Sequence, residues 1–353
     1  MFASFLTTIL FSLSAISGRR VSGLLHGTHA NLLRLSLGAV LLGAWSHLFG
    51  FGLGRASFPL LFLSGCVGFG VGDLALFQTY RRLGARGSMV MAQCVAAPVA
   101  TLIEWLWLGR APTPAQAGFA AVILAGVAVA LLPHEDADEP ANHLVAGILF
   151  GLVSAFCQAL GAVLSRKAYA VAAAHGQIFS GVGDGVNAAY QRILGGLFVT
   201  VVFFLYLKLA HKPDETRPNQ WSKAWPWLVA NCVCGPTLGV TCYQWALIST
   251  PTSVALPIIA TTPLAVIPLA HFIEGDRVTK RAVFGGVLAV AGVIGLTLAK
   301  LIPEVKKAAR SRAQVWFKSR RITPVTRTWP PCMVSAIVEF VCNKTRKTVL
   351  LKA

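Results

Sequence analysis

Apolar residues in this chain fall in long unbroken runs and not in alternating or heptad patterns. Ten runs stand out, at approximately 2–18, 28–48, 59–80, 88–108, 114–132, 144–165, 187–208, 226–248, 253–273 and 280–300, each bounded by Gly, Pro or charge. Crossing a hydrocarbon core of roughly 30 Å takes about 17–25 helical residues. Each run is therefore about one crossing long. Backbone groups in lipid must bond internally, and the runs lack the period of two expected of barrel strands. The pattern predicts an all-α integral membrane protein with ten transmembrane helices.

Composition agrees. Of 353 residues, 55% are hydrophobic and 12% charged, against roughly 25% charged in soluble domains, which excludes a water-soluble globular protein. The net charge of +18 comes largely from residues 301–353, where 12 basic residues face 2 acidic ones. This tail, with Lys306, Lys307, Arg310, Arg312, Lys318, Arg320 and Arg321, reads as a membrane-proximal basic segment. The basic balance does not point to nucleic acid. The eight cysteines show neither a disulfide framework nor zinc-ligand spacing. The run Phe2–Ile16 superficially suggests a signal peptide, but no basic residues precede it, and a retained helix is expected.

Two connections are longer than the rest: the acidic stretch His134–Pro140 and the polar segment Ala210–Ala224. The expected organisation is a first five-helix repeat over 2–132, an acidic linker over 133–143, a second five-helix repeat over 144–300 and a basic tail over 301–353. With the termini inside, the positive-inside rule is balanced only by the tail.

The two halves resemble each other. SMVMAQCVAAP, from Ser88 to Pro98, aligns with SVALPIIATTP, from Ser253 to Pro263, at an offset of 165. One residue later in register, GRAPT at Gly109–Thr113 matches GDRVT at Gly275–Thr279, and Gly126-Val127 matches Gly292-Val293. Upstream, Arg34 and Gly38 in RLSLG match Arg192 and Gly196 in RILGG. An odd number of helices per repeat inserts the second copy from the opposite side, which is the inverted duplication found in secondary transporters.

These residues carry a resemblance to the EamA family of the drug/metabolite transporter superfamily. The matching segments are GDLALFQTYRRLGARGSMVMAQCVAAP, LGRAPTPAQAG and the following GV, then WALISTPTSVALPIIATTP, EGDRVT and the last glycine-rich helix. The resemblance covers about residues 2–300 and implies ten helices in two inverted repeats, a central cavity, and carrier-mediated movement of metabolites or drugs, often as efflux. Two features depart from the family pattern. Arg110 stands where an acidic residue is usual, with Asp276 at its counterpart, and the basic tail has no equivalent.

Ionisable side chains at membrane depth are costly unless paired or hydrated, and so mark candidate function. At 1.5 Å per residue, Arg34 and Asp73 reach nearly the same depth from one face, which predicts an ion pair. Two readings of that pair stay open: a lock between helices, or a carboxylate that takes up a proton or cation during alternating access. Arg192, the repeat mate of Arg34, is expected near the opposite face with Leu238 at the position matching Asp73. It could donate to Thr237 or Thr241, snorkel to the interface, or meet an anionic group on the substrate. Gln78, Gln93, Gln158, Tyr243 and Gln244 are candidates for cavity hydrogen bonds, with interhelical bonding the plainer reading. Glu104, between Trp105, Trp107 and Arg110, reads as an interface cluster.

The spacings Gly68-xxx-Gly72, Gly147-xxx-Gly151 and Gly235-xxx-Gly239 predict close helix crossings. Pro98 and Pro263, related by the repeat, together with Pro257 and Pro268, are expected to permit bends. His26 and His29 lack the Glu of a zinc-protease motif, and the Gly68–Gly72 run lacks the context of a dinucleotide fingerprint. No metal, cofactor or ATP-driven step is implied, and no nucleophile, base and electrophile group together as an enzyme would require. The expected function is a secondary transporter in the cell (inner) membrane, exporting a small molecule. The competing reading is a lipid-carrier flippase or a membrane subunit of a complex. Partners expected are a small-molecule substrate and the lipid bilayer, with proton or cation coupling and a homodimer left open, and no nucleic acid.

Overall fold

The computed structural model describes residues 1–108, 112–131, 141–179, 181–210, 220–249, 255, 258–275 and 279–319. Among them there is no strand. The helices are α1 (Phe2–Leu24), α2 (Gly27–Phe49), α3 (Phe58–Gly65), α4 (Asp73–Met89), α5 (Ala96–Leu108), α6 (Pro114–Leu131), α7 (Ala141–Ala174), α8 (Val182–Leu209), α9 (Trp221–Cys232), α10 (Leu238–Ser249), α11 (Thr262–Glu274) and α12 (Lys280–Ser319). Two compact units are present, Met1–Ile302 and Pro303–Ala353. Residues 133–140 of the acidic linker, the loop carrying Arg110, Asp276 and Pro257 all lie outside the described residues, as does the apolar run Cys332–Cys342, while the last three linker residues, 141–143, already belong to α7.

Among the described residues, six helical stretches are long and apolar enough to cross a bilayer: Phe2–Leu24, Gly27–Phe49, Phe58–Ile103, His143–Ala174, Val182–Leu209 and Lys280–Ala299. The protein is thus a multi-pass helical membrane protein. Phe58–Ile103 spans 46 residues, or about 69 Å of helix at 1.5 Å per residue, more than twice the hydrocarbon thickness. It is broken at Gly84, whose φ of 67° and ψ of −179° leave the helical region. Only glycine adopts such a conformation without steric cost, so this residue ends one helical rod and begins the next.

Three turns widen to π-helix, at Cys66–Gly72, Val90–Val95 and Val233–Thr237. The first is CVGFGVG, where three glycines leave the backbone free of side-chain crowding. The third contains Pro236, which lacks an N–H and weakens the α-helical ladder at that turn. Pro263 is in the first turn of α11, where the N–H groups have no intrahelical acceptor, so it does not bend that helix from within. Pro98 lies three residues past the π turn at Val90–Val95, inside the helical stretch that runs on to Ile103.

In lipid, helix association rests on close packing and hydrogen bonds, since the solvent is itself apolar. The crossings follow that rule. A Cβ on Gly65 would lie 1.8 Å from the carbonyl oxygen of Arg192, and one on Gly195 would lie 2.0 Å from that of Phe62. Helices α3 and α8 therefore touch backbone to backbone, which brings Arg192 deep into the bundle. At the crossing of α6 and α12, Gly126 faces Gly285 and Ala289, while Gly292 faces Phe119 and Ile123. Elsewhere α1 packs on α4, α9, α10 and α11, and α2 packs on α8, so elements from the two ends of the sequence share one core.

Candidate functional site

Arg34 projects from α2 into the interior and finds an acceptor for each of its nitrogens. Its Nη2 pairs with the carboxylate of Asp73 at the start of α4. Its Nε donates to Asn31 Oδ1 at 3.0 Å, one helical turn earlier, and Nη1 donates to Asn231 Oδ1 of α9 at 3.3 Å. Asn231 in turn donates to the carbonyl and hydroxyl oxygens of Ser14 on α1, at 2.7 and 3.0 Å. Asn31 donates to Thr200 Oγ1 of α8 at 2.9 Å and to the carbonyl oxygen of Phe69 at 3.3 Å. The guanidinium also stands over the Phe77 ring, 5.0 Å from its centre. Arg34 and Asp73 are 4% and 3% exposed.

The ion pair expected from helix depths is present, and it is the centre of a network joining α1, α2, α4, α8 and α9. Burying two charges costs several kcal/mol each unless the partners and remaining donors are satisfied, and here the guanidinium is satisfied. Asn31, Asn231, Ser14 and Thr200 were not singled out in the sequence. Asn31 could have been, because residues three apart share a helical face. Asn231 could not, since its 197-residue separation from Arg34 is bridged only by the fold.

Arg192 presents the opposite situation. It is 3% exposed, so it does not snorkel outward. Its Nε is buried without a hydrogen bond among the described residues. Neither threonine proposed for it serves: Thr237 contacts Cys232 Sγ at 3.5 Å, and Thr241 Oγ1 is itself unpartnered. What Arg192 does touch is the face of Phe69, 4.9 Å from the ring centre. Asp73, Tyr169 and Tyr243 lie within electrostatic range of it.

The remaining candidates divide. Gln78 accepts through its side-chain oxygen from Arg82 one turn along the same helix, at 2.7 Å, which leaves its amide nitrogen to donate elsewhere. Gln93, in the π turn at Val90–Val95, and Gln158 of α7 are half-buried and make no hydrogen bond among the described residues. Tyr243 packs against Phe11 with ring centres 6.1 Å apart. Gln244 is fully buried, accepts from Tyr169 and leaves its amide nitrogen unpartnered. The side chain of Glu104 lies outside the described residues.

A second polar cluster closes one end of the bundle. Arg55 pairs with Asp184 at 3.2 Å, in the first turn of α8. Its guanidinium lies between Phe51 and Phe179, 3.5 and 4.6 Å from the two ring centres. Beside it, Ser46 donates to Asn187, Gln191 donates to the Gly52 carbonyl at 2.8 Å, and His47 shares a hydrogen bond with Tyr190 at 3.1 Å. The end of α2 and its following loop are thus tied to the first turns of α8.

A multi-pass helical bundle with a buried ionic network defines the class of membrane protein. Residues 145–298 match the family model of the EamA-like transporter family. Among solved structures the chain is similar to a crystal structure of a protein with 18% identity and a TM-score of 0.57, over 84% of this chain and 96% of that one. A match of that extent runs through both halves and shows a shared fold. No curated protein matches the chain.

Proposed function

We propose that this protein is a secondary transporter that exports a small molecule across the cell (inner) membrane by alternating access, built from ten spans in two inverted five-helix repeats. The observation that carries the reading is the buried Arg34–Asp73 pair, held by residues from both halves of the sequence. A carboxylate so placed is suited to exchange its arginine for a proton or cation when the bundle changes shape.

The repeat organisation has support in the packing. Gly126 and Gly292 correspond in sequence, as do Phe119 and Gly285, and Ile123 and Ala289, all at a spacing of 166. Gly126 packs on Gly285 and Ala289, and Gly292 packs on Phe119 and Ile123, which is the exchange of partners that a two-fold relation between α6 and α12 requires. The π turns beginning at Cys66 and Val233 stand in the same relation, 167 apart. That register matches Asp73 with Val240, two residues beyond Leu238, and the counterpart remains apolar.

The test is untargeted mass spectrometry of medium from cells producing the wild type or Asp73→Asn at matched membrane levels. Compounds enriched by the wild type alone are expected. Equal release by the variant would remove Asp73 from the mechanism, and no enrichment by either would oppose export.

A further inference from the structure

The surroundings of Arg34 and Arg192 can be compared position by position. In α2 and α8 the spacing is 158, which relates Arg34 to Arg192 and Asn31 to Ala189. At the π turns it is 167, which relates Gly235 to Gly68, Asn231 to Ser64 and Asp73 to Val240. The frame is common to both: a Cβ on Gly235 would lie 3.6 Å from Arg34 Nη1, and one on Gly68 would lie 3.1 Å from Arg192 Nη2. The acceptors are not common. Asn31, Asn231 and Asp73 serve Arg34, whereas their counterparts Ala189 and Val240 have no acceptor to offer, and Ser64 spends its hydroxyl on Gly161 and Ser165 at 2.7 and 3.0 Å.

The two arginines share a single buried carboxylate, Asp73, within electrostatic range of both. Among the described residues, Arg34, Asp73 and Arg192 together therefore carry one positive charge more than they balance among themselves. A guanidinium in low dielectric demands a counter-charge, and its planar fork matches a carboxylate in two parallel hydrogen bonds. On α7, Gly161 brings the backbone close to Nη2, where a Cβ would lie 3.4 Å away, and Gln158 stands nearly one turn before it on the same face. The Phe69 ring, with the Tyr169 and Tyr243 phenols within electrostatic range, gives these surroundings an aromatic character.

We infer that Arg192 binds the carboxylate of a small organic monoanion, preferably one with an aromatic or apolar body, and that this is the substrate class of the transporter proposed above. The inference rests on that reading for the word substrate, but the binding site can be examined without any flux.

Full-length protein in phosphatidylcholine nanodiscs and low-salt buffer is melted with sodium benzoate, with its neutral isostere benzamide, or with sodium chloride at equal concentrations. Benzoate is expected to raise Tm by several degrees, with benzamide and chloride without effect. Benzamide matching benzoate would overturn the anion site, and chloride matching it would overturn the carboxylate assignment. Arg192→Gln is expected to lose the benzoate response while melting no lower than the wild type without ligand. Ala189→Asp, which sets an internal carboxylate one turn from Arg192, is expected to lose it as well and serves should Arg192→Gln not fold. A retained response in either folded variant would overturn the assignment. A benzoate response without solute flux in proteoliposomes would remove the transporter reading and leave this site, whereas flux with charge-blind binding would do the reverse.

Discussion

Asp73 accepts from Arg34 and from no other arginine, although Arg192 lies within electrostatic range of the same carboxylate. The pair differs in this from a simple strut, because removing either member leaves a buried charge without its partner. Such removals cost about 3–5 kcal/mol, while removing both members together costs far less. Arg34→Gln and Asp73→Asn are each expected to lose stability in that range, and the double variant to recover most of it in thermal melts. Solute export is expected to stay lost in all three. Export restored in the double variant would make the pair a structural lock.

Arg55 is held by a carboxylate and two aromatic faces at once, an arrangement that lysine cannot copy because it lacks a planar cation. Arg55→Lys should therefore loosen the tie between the loop after α2 and the first turns of α8, at a cost of about 1 kcal/mol from the lost stacking. The measurement is maleimide labelling of a cysteine introduced at Leu42, which is 5% exposed in the wild type, in a background without native cysteines. Faster labelling is expected with Arg55→Lys. Unchanged labelling would mean that this cluster does not govern access to the interior.

The glycines of the α6–α12 crossing separate packing from propensity. A Cβ on Gly126 would come within 2.5 Å of the Ala289 amide nitrogen, and one on Gly285 within 2.4 Å of that of Ala130. Each Gly→Ala change there is expected to cost about 1–3 kcal/mol through forced separation of the helices. Gly292→Ala, against Ile123 and Phe119, should fall in the same range if the two-fold relation holds. Gly118 and Gly23 have nothing within 4 Å of a built Cβ, so alanine there should be neutral or stabilising by up to about 1 kcal/mol. Thermal melts of the five variants decide the matter, and equal effects at all five positions would count against close packing as the cause.

Much of this protein was legible from the chain because lipid imposes a one-dimensional constraint. Where backbone groups cannot bond to water, an apolar run of sufficient length has to close its hydrogen bonds as helix, and the runs at 28–48 and 187–208 lie within α2 and α8. The depth argument that paired Arg34 with Asp73 also needed only the rise per residue and the direction of travel. The apolar run did not record the polar first turn of α8, which begins at Val182 and carries Asp184, the partner of Arg55.

Rotation about each helix axis is absent from a hydropathy pattern, and it decides which neighbour a side chain meets. Asn231 and Ser14 became partners of Arg34 only when α9 and α1 packed on α2 with those faces inward. The same packing left Arg192 over Phe69 with its Nε unpartnered among the described residues. The sequence by itself determined a helical membrane protein and matched the depths of Arg34 and Asp73; only the tertiary structure decided that Arg192 is buried too and that Arg34 alone finds an acceptor for every nitrogen, because hydrogen bonds depend on directions in three dimensions that the order of residues does not contain.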